Sequence, residues 1–232
     1  MEPITLRGIR IYPFESRQAL VDFADTRKGI LIAVNAEKMA NATNELRCLI
    51  NNNIGYCDGS GVVLASRRNG APGAVKIAGC ELWLDIIRRH AADSTFYIIG
   101  GRPDVHADTI TRLRADFPGI NIVGHRDGYL RDHAERQALI DDVAEKRPDY
   151  VFVAMGSPRQ EYLMADMLAR HKAVYQGLGG SFDVYTGRVK RAPKWWIDHH
   201  AEFVYRLLKQ PSRIRRDVVR FKYAWWLLTN NF

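Results

Sequence analysis

Asp58 is an acidic residue at a position in the sequence that is typical of ligand-binding residues in open α/β sheets. Asp58 follows a short apolar run, residues 54–57, and is itself followed by glycine, serine and glycine. If the run is a strand, Asp58 lies at its carboxyl end, the edge of a parallel sheet where ligands bind. Aspartate is also among the best helix N-caps, and residues 62–68 can form a helix. The turn alone is therefore compatible with capping as well as with chemistry.

Three other apolar runs end in glycine-rich turns. Glycine lets backbone N–H groups approach a ligand closely, and a helix that begins just after such a turn favours a bound phosphate. None of the turns fits G-x-G-x-x-G or the P-loop pattern, so each alone is also compatible with a tight structural turn. Together with Asp58, at the same edge of one sheet, they predict a nucleotide-binding crevice. The turns contain Gly100 and Gly101, Gly156 and Ser157, and Gly179 and Gly180.

The elements that must position these turns alternate along the chain. Repeated βα units are typical of a largely parallel sheet covered by helices on both faces. We therefore expect an α/β fold with a Rossmann-like, mostly parallel sheet, to which residues 5–12 add an edge strand or hairpin. The predicted strands are residues 30–34, 54–57, 75–78, 96–99, 120–123, 150–154 and 174–178. The predicted helices are residues 37–52, 62–68, 81–92, 104–117, 133–146 and 160–171.

Residues 188–232 differ in charge from the rest of the chain. They hold 11 of its 34 Lys and Arg residues but only 3 of its 26 Asp and Glu residues, which accounts for the whole formal net charge of +8. A neutral body thus carries a basic tail, and such a tail indicates an anionic partner. We divide the chain into an α/β domain, residues 1–187, and a basic helical appendage, residues 188–232.

Aromatic side chains are interleaved with the basic ones in this tail. Trp and Tyr beside Lys and Arg suit a membrane–water interface, where each basic residue near an anionic leaflet contributes about 1 kcal/mol. A helical cap whose rings complete the core has the same composition, and so has a nucleic-acid-binding patch. The composition does not separate the three. The interleaved residues are Phe203, Tyr205, Arg206, Lys209, Arg213, Arg215, Arg216, Arg220, Phe221, Lys222, Tyr223, Trp225 and Trp226.

Missing patterns exclude several kinds of protein. No apolar run approaches the roughly 18 residues of a spanning helix, and residues 1–10 lack a signal-peptide pattern, so we expect a cytosolic protein. The three cysteines and seven histidines have no metal-ligand spacing, so we expect neither disulfides nor a metal site. There is no G-x-S-x-G elbow and no pair of aspartates two residues apart. This argues against a serine hydrolase and against the usual metal clamp on a sugar nucleotide.

A single carboxylate at a nucleotide crevice suits one reaction well. An inverting sugar transfer needs a base that takes the proton from the attacking hydroxyl as the new bond forms. It does not need the second carboxylate that glycoside hydrolases use as an acid, because a nucleoside diphosphate leaves as an anion. Cationic side chains or helix ends can hold that anion. Asp58 is a candidate for the base, and arginines beyond the body are candidates for holding the diphosphate.

The same residues resemble the WecG/TagA/CpsF family of bacterial glycosyltransferases over nearly the whole chain. The matches keep their order and include the Asp58 turn, the glycine-rich turns and the basic tail. Their number and order make the resemblance specific. They are VNAEK at 34–38, DGxGVV at 58–63, IAG at 77–79, GG at 100–101, NIVG at 121–124, AMGSPRQE at 154–161, GGxFD at 179–183, GxVKRAP at 187–193 and YRLLxQPSR at 205–213.

The resemblance implies an inverting transfer that uses no metal and no other cofactor. A sugar of the N-acetylmannosamine type would come from a UDP-sugar donor. It would go to N-acetylglucosamine on an undecaprenyl-diphosphate-linked acceptor, with Asp58 as the base. We expect the substrate pocket to contain Asn35, Gly59, Lys76, Gly100, Gly101, Gly156, Ser157, Gln160 and Gly180.

The resemblance also gives the basic tail a role at the membrane. Its arginines would close over the site there and hold the diphosphate. An anionic membrane surface is therefore the expected partner and nucleic acid is not, and the protein would be peripheral on the cytoplasmic face of the inner membrane. A homo-oligomer is left open. The residues expected to bind the diphosphate or the lipid acceptor are Lys190, Arg191, Arg206, Arg213 and Arg216.

Two departures from the family pattern bear on the donor sugar. Teichoic-acid members carry Thr two residues before Asn35, where this chain has Ala33. A family Arg is replaced by Lys76, which keeps the charge but loses the bidentate fork. Ala33 and the NAEK run resemble the WecG branch, which transfers N-acetylmannosaminuronic acid in enterobacterial common antigen synthesis. We expect UDP-ManNAcA as donor; the alternative is UDP-ManNAc or another hexose, in teichoic acid or exopolysaccharide synthesis.

A nucleotide- or nucleic-acid-binding module is the alternative from a different class. Its basic tail would bind phosphates, and binding of RNA or DNA would be sensitive to salt and lost on removal of residues 188–232. The transferase hypothesis predicts that the same deletion removes binding to liposomes instead.

Overall fold

The computed structural model describes residues 1–190 together with Pro193, Trp196, Tyr223, Trp226 and Thr229. Strands and helices alternate along the chain after an N-terminal hairpin. The strands are β1 (Ile4–Leu6), β2 (Ile9–Ile11), β3 (Gly29–Val34), β4 (Ile54–Cys57), β5 (Thr95–Gly100), β6 (Asn121–Arg126), β7 (Tyr150–Ala154) and β8 (Val174–Gly177). The helices are α1 (Arg17–Arg27), α2 (Ala36–Asn41), α3 (Asn44–Asn51), α4 (Ser60–Arg68), α5 (Gly79–His90), α6 (Pro103–Asp116), α7 (His133–Lys146), α8 (Arg159–Arg170) and α9 (Ser181–Tyr185).

A six-stranded parallel sheet forms the centre of the protein, with the strand order β4-β3-β8-β7-β5-β6. The central strand β7 is a continuous apolar run, and all of its residues are buried. Such a run is typical of a parallel sheet covered on both faces, since neither row of side chains meets water. The expected Rossmann-like α/β fold is confirmed.

Helices cover both faces of the sheet and build two apolar layers. One layer packs α3, α4, α7 and α8 with the N-terminal hairpin, and the other packs α1, α5, α6 and α9. Alternate residues of a strand enter opposite layers, as Ile30 and Leu31 do. The second layer contains Trp83 of α5, which is fully buried against Phe152 and Phe182. This packing fixes α5 over the sheet.

The expected edge strand or hairpin at the N-terminus is a hairpin. β1 and β2 pair antiparallel and form their own two-stranded sheet. The turn consists of Arg7 and Gly8, with φ of 47° and 75°, as a two-residue hairpin turn of this kind requires.

Residues 75–78, which the sequence predicted to be a strand, form a loop. Val75 N donates to Phe14 O, whereas Ile77 N donates to Cys57 O at the end of β4. These two N–H groups bond to separate parts of the chain, the loop before α1 and the end of β4, so the segment does not pair along one strand. The loop leads directly into α5.

Residues 37–52, predicted as one helix, form the two helices α2 and α3. Thr43 accepts a hydrogen bond from Leu46 N through its side chain and is the N-cap of α3. A side-chain cap of this kind starts a new helix, because it satisfies an N–H group that has no partner in the first turn. The remaining predicted helices agree with the structure to within two residues at each end.

Candidate active site

The order of the strands places a topological switch point between β5 and β7, where the predicted crevice would lie. The chain passes from β5 to β6 toward one edge of the sheet. From β7, the neighbour of β5, it passes to β8 toward the opposite edge. In open α/β sheets, ligands bind outside the carboxyl ends of the strands at such a point. Gly100 and Gly101 end β5 here, and Gly156 follows β7. Two of the three glycine-rich turns therefore flank the crevice.

Gly100 allows the two strand ends to approach closely. It pairs with Ala154 at the end of β7, and Gly101 N donates to Ala154 O at 2.9 Å. The φ of Gly100 is 117°, and a Cβ there would overlap the backbone of Ala154. A side chain at this position would push the two strands apart.

His106 supports the Gly100 turn from α6. Its Nδ1 lies 2.9 Å from Gly100 O, so this nitrogen carries a proton and donates. Its Nε2 lies 3.1 Å from Nδ1 of His125. Burial lowers the pKa of His106, which favours the neutral ring, and in that ring Nε2 can accept a hydrogen bond from His125.

Asp58 lies just past the end of β4, at the same edge of the sheet. Its Oδ1 accepts a hydrogen bond of 3.1 Å from Gly79 N, the first residue of α5. The carboxylate therefore caps α5 and faces the positive end of that helix. The following helix, α4, begins after Gly59, which has no side chain to cap it. The interpretation of Asp58 as the cap of the helix that follows it is wrong, because its carboxylate binds the first N–H group of α5 instead.

Asn35 ends the neighbouring strand, β3, and contacts the Asp58 turn. It is the N-cap of α2, where its Oδ1 accepts a hydrogen bond of 2.9 Å from Lys38 N. A Cβ on Gly59 would lie 3.4 Å from Cβ of Asn35, so the two turns are in van der Waals contact. The structure thus brings Asn35, Asp58 and Gly59 together, as the sequence predicted for one substrate pocket.

Gln160 joins two of the glycine-rich turns. The side chain is 5% exposed, and its Oε1 accepts from Gly156 N at 3.1 Å and from Gly179 N at 2.9 Å. The turns after β7 and β8 are therefore held at a fixed spacing. In this geometry Gln160 shapes the crevice by supporting its loops.

A buried ion pair joins helix α2, which follows the Asn35 turn, to helix α8, which contains Gln160. Lys38 Nζ lies 2.7 Å from Glu161 Oε1, and the side chains are only 9% and 1% exposed. Lys38 belongs to α2, near Asn35, and Glu161 follows Gln160 in α8. The other oxygen of Glu161, Oε2, is buried and has no hydrogen-bond partner within the described part of the chain. This pair was not predicted from the sequence, since no local pattern shows that the two residues meet.

The remaining predicted pocket residues lie around this row of turns. Lys76 is half-buried in the loop that leads into α5, and Ser157 and Gly180 are exposed after β7 and before α9. Lys190 is exposed at the end of the continuously described segment. The predicted tail residues Arg191, Arg206, Arg213 and Arg216 lie outside the described residues.

An exposed aromatic ring beside the crevice was not predicted from the sequence. Tyr129 is 58% exposed in the turn after β6, and its backbone N donates to Asp127 Oδ1 at 2.8 Å. The neighbouring Gly128 N donates to Gly101 O at 2.8 Å, which fixes this turn against the end of β5. The signal in the sequence was the Asp-Gly pair after a predicted strand, which marks a turn at this edge.

Part of the basic tail packs on the body next to the Asp58 turn. Tyr223 is 3% exposed and lies on α4, where a Cβ on Gly61 would come within 2.7 Å of its ring. Trp226 is 7% exposed, and the Arg7 guanidinium of the hairpin turn lies over its ring at 3.9 Å from the centroid. The interpretation that tail aromatics complete the core is confirmed for these two rings.

The described residues contain neither a grouped set of metal ligands nor a membrane-spanning helix. No three His, Cys, Asp or Glu side chains among them are grouped so that they could hold a metal ion. No helix in this part of the chain is both long and apolar enough to cross a membrane.

Comparison with known families identifies the family of the chain. The model of the Glycosyl transferase WecG/TagA/CpsF family matches residues 4–232. This range includes Asp58, all of the glycine-rich turns and the basic tail. The chain therefore belongs to the WecG/TagA/CpsF family of glycosyl transferases.

Proposed function

We propose that the protein transfers N-acetylmannosaminuronic acid from UDP-ManNAcA to GlcNAc-diphospho-undecaprenol, the step from lipid I to lipid II of enterobacterial common antigen. The transfer inverts the anomeric centre and uses no metal. The alternative within the same family is transfer of N-acetylmannosamine or another hexose from its UDP form, in teichoic acid or exopolysaccharide synthesis. The observation that supports the proposal most is the Asp58 carboxylate at the sheet edge, with one oxygen bound by Gly79 N.

The proposed reaction needs one base and a group that stabilises the leaving diphosphate. The acceptor hydroxyl oxygen attacks the anomeric carbon, the bond from that carbon to the UDP oxygen breaks, and Asp58 takes the hydroxyl proton. Gly79 N binds Oδ1, and we assign the proton to Oδ2. UDP leaves as an anion, which N–H groups of the glycine-rich turns and cations of the tail would stabilise.

The basic tail is proposed to bring the site to the cytoplasmic face of the inner membrane. In this proposal residues 188–232 form an appendage to the catalytic domain of residues 1–187. Its cations would bind anionic lipid and the diphosphate of the acceptor. These cations are Lys190, Arg191, Arg206, Arg213 and Arg216.

Tyr129 is the residue that we assign to the uracil ring of the donor. Its ring is exposed, and its turn is fixed at the end of β5 by the Gly128–Gly101 hydrogen bond. Stacking of one base on an aromatic side chain contributes about 1–3 kcal/mol. We therefore expect Tyr129→Ala to weaken UDP binding by roughly 5- to 150-fold in calorimetry. Tyr129→Phe keeps the ring and should bind UDP as the wild type does; equal Kd values for Tyr129→Ala and the wild type would refute the assignment.

Gly61 is expected to control how the tail packs beside the Asp58 turn. Alanine in place of an unhindered helical glycine stabilises by roughly 0.5–1 kcal/mol. Here the new Cβ would meet the buried Tyr223 ring at 2.7 Å, so we expect Gly61→Ala to displace the tail. The measurement is the rate at which trypsin removes C-terminal fragments, followed by mass spectrometry. Leu64→Ala, on an exposed position of the same helix, is the control; equal cleavage rates in the two variants would contradict this prediction.

A donor comparison tests the proposed function. Purified protein is incubated with a GlcNAc-diphospholipid and with UDP-ManNAcA, UDP-ManNAc or UDP-GlcNAc, in the presence of EDTA. Transfer from UDP-ManNAcA alone is the expected result. Transfer only from UDP-ManNAc would favour the teichoic-acid branch, and no transfer from any UDP-sugar would refute the transferase.

A further inference from the structure

Two fully buried polar side chains lie beneath the Asp58 carboxylate. Tyr56 of β4 and Gln176 of β8 are both 0% exposed. The layer of α5, on whose side Tyr56 packs, is mostly apolar, and its other buried polar side chains among the described residues belong to helices α6 and α9. A glutamine in the middle of a sheet covered by such a layer breaks the pattern that the rest of the strand follows.

Both side chains contact the first residue of α5. Gln176 Nε2 donates to Gly79 O at 3.0 Å. The Tyr56 hydroxyl is so close that a Cβ on Gly79 would lie 2.9 Å from it. The N–H group of the same residue, Gly79, donates to Asp58 Oδ1 at 3.1 Å. A continuous path of contacts therefore leads from Gln176 and Tyr56 through Gly79 to the proposed base.

Stability alone does not explain this arrangement. The Tyr56 hydroxyl and Gln176 Oε1 are buried, and within the described residues neither makes a hydrogen bond of good geometry, although the Gln176 side chain lies close enough to lower the pKa of Tyr56. Burying polar atoms in this way costs free energy, which apolar side chains of the same shape would not. Places where a sequence breaks such a rule are expected at functional sites.

Tyr56 is also kept neutral next to the base. Burial, and then the negative charge of Asp58, raise the pKa of Tyr56 well above its usual value. The hydroxyl therefore stays protonated at the pH at which a carboxylate acts as base, and it adds no second negative charge beneath Asp58.

We propose that Gln176 and Tyr56 are positioning residues that fix the Gly79 peptide so that its N–H group orients the Asp58 carboxylate for proton transfer. This inference rests on the proposed function of Asp58. Because Gly79 N binds Oδ1, rotation of the carboxylate is restricted and Oδ2 is presented in one orientation to the acceptor hydroxyl. Proton transfer depends steeply on such placement, since a displacement of about 1 Å can cost 10²-fold in rate.

A double-mutant cycle separates positioning from a general structural role. Gln176→Met keeps the approximate size of the side chain and removes the amide, so we expect kcat to fall about tenfold or more. In an Asp58→Asn background the same change should alter the residual kcat by less than about twofold, because there is no base left to position. KM for the UDP-sugar should stay within about twofold in both. Equal losses of kcat in the two backgrounds would overturn the proposal.

Amide hydrogen exchange tests the same contact without turnover. We expect the Gly79 amide to exchange about tenfold faster or more in Gln176→Met than in the wild type, while the amide of Ile86, buried in the middle of α5, is unchanged. Tyr56→Phe, which keeps the ring, should also accelerate exchange at Gly79. Unchanged exchange at Gly79 in both variants, or equal acceleration at Ile86, would overturn the positioning role. If the wild type transfers no sugar, the proposed function fails, and exchange still decides whether these residues fix Gly79.

Discussion

Asp58→Asn is expected to lower kcat by about 10²–10⁴-fold and to leave the fold and the affinity for UDP unchanged. The amide of Asn keeps an oxygen that can accept the hydrogen bond from Gly79 N, so the cap of α5 survives. An amide cannot take the proton of the acceptor hydroxyl, so the base is lost. The measurements are steady-state kinetics of sugar transfer and calorimetric titration with UDP.

Asp58→Ala is the matched variant that removes the cap as well as the base. We expect its kcat to fall as far as that of Asp58→Asn. Its free energy of unfolding should fall in addition by about 0.5–2 kcal/mol, the usual cost of a lost N-cap. Near-normal turnover in Asp58→Asn would show that the residue is a cap and not the base.

Lys38→Met is expected to lower the free energy of unfolding by about 3–5 kcal/mol, measured by urea denaturation. Met has nearly the length of the Lys stem but no charge, so Glu161, 1% exposed, would be left buried without its partner. The loss should be large because an uncompensated buried charge costs much more than the pair itself contributes. We also expect lower transferase activity, since the pair connects α2, which follows Asn35, to α8, which contains Gln160.

Two controls test whether burial is the cause of that loss. The double variant Lys38→Met/Glu161→Leu removes both charges and should recover most of the stability. Arg170→Met breaks an ion pair with Asp141 whose side chains are 56% and 50% exposed, and it should leave the free energy of unfolding nearly unchanged. Similar losses in Lys38→Met and Arg170→Met would contradict the prediction.

The sequence predicted those parts of the fold that depend on local patterns. Helix α7 was predicted with its observed bounds, and a local signal marks its start, since the Asp132 side chain accepts a hydrogen bond from Glu135 N. Strand order could not be predicted: β8, the last strand in sequence, is inserted between β3 and β7. The misassigned residues 75–78 are mostly apolar like a strand, but their N–H groups bond to a loop residue, Phe14, and to Cys57 of β4. Periodicity does not contain such long-range information.

The sequence predicted those parts of the candidate site that directly follow the ends of strands. Parallel strands place all their carboxyl ends at one edge, so the turns at Asn35, Asp58, Gly100 and Gly156 follow from chain order alone. The partners beneath the edge could not be found in this way. Asp58 binds the N–H group of a residue 21 positions away, and Lys38 pairs with a residue 123 positions away. Such contacts depend on how helices pack on the sheet.

Asp58 is, in our proposal, the single carboxylate that acts as base in an inverting transfer from a UDP-sugar. The most direct measurement is an NMR time course of UDP-ManNAcA and a GlcNAc-diphospholipid with EDTA present, for the wild type and for Asp58→Asn in parallel. We predict that the wild type forms a linkage with inverted anomeric configuration and that Asp58→Asn forms it about 10²–10⁴-fold more slowly. A product with retained configuration, or equal rates for the two proteins, would contradict the claim.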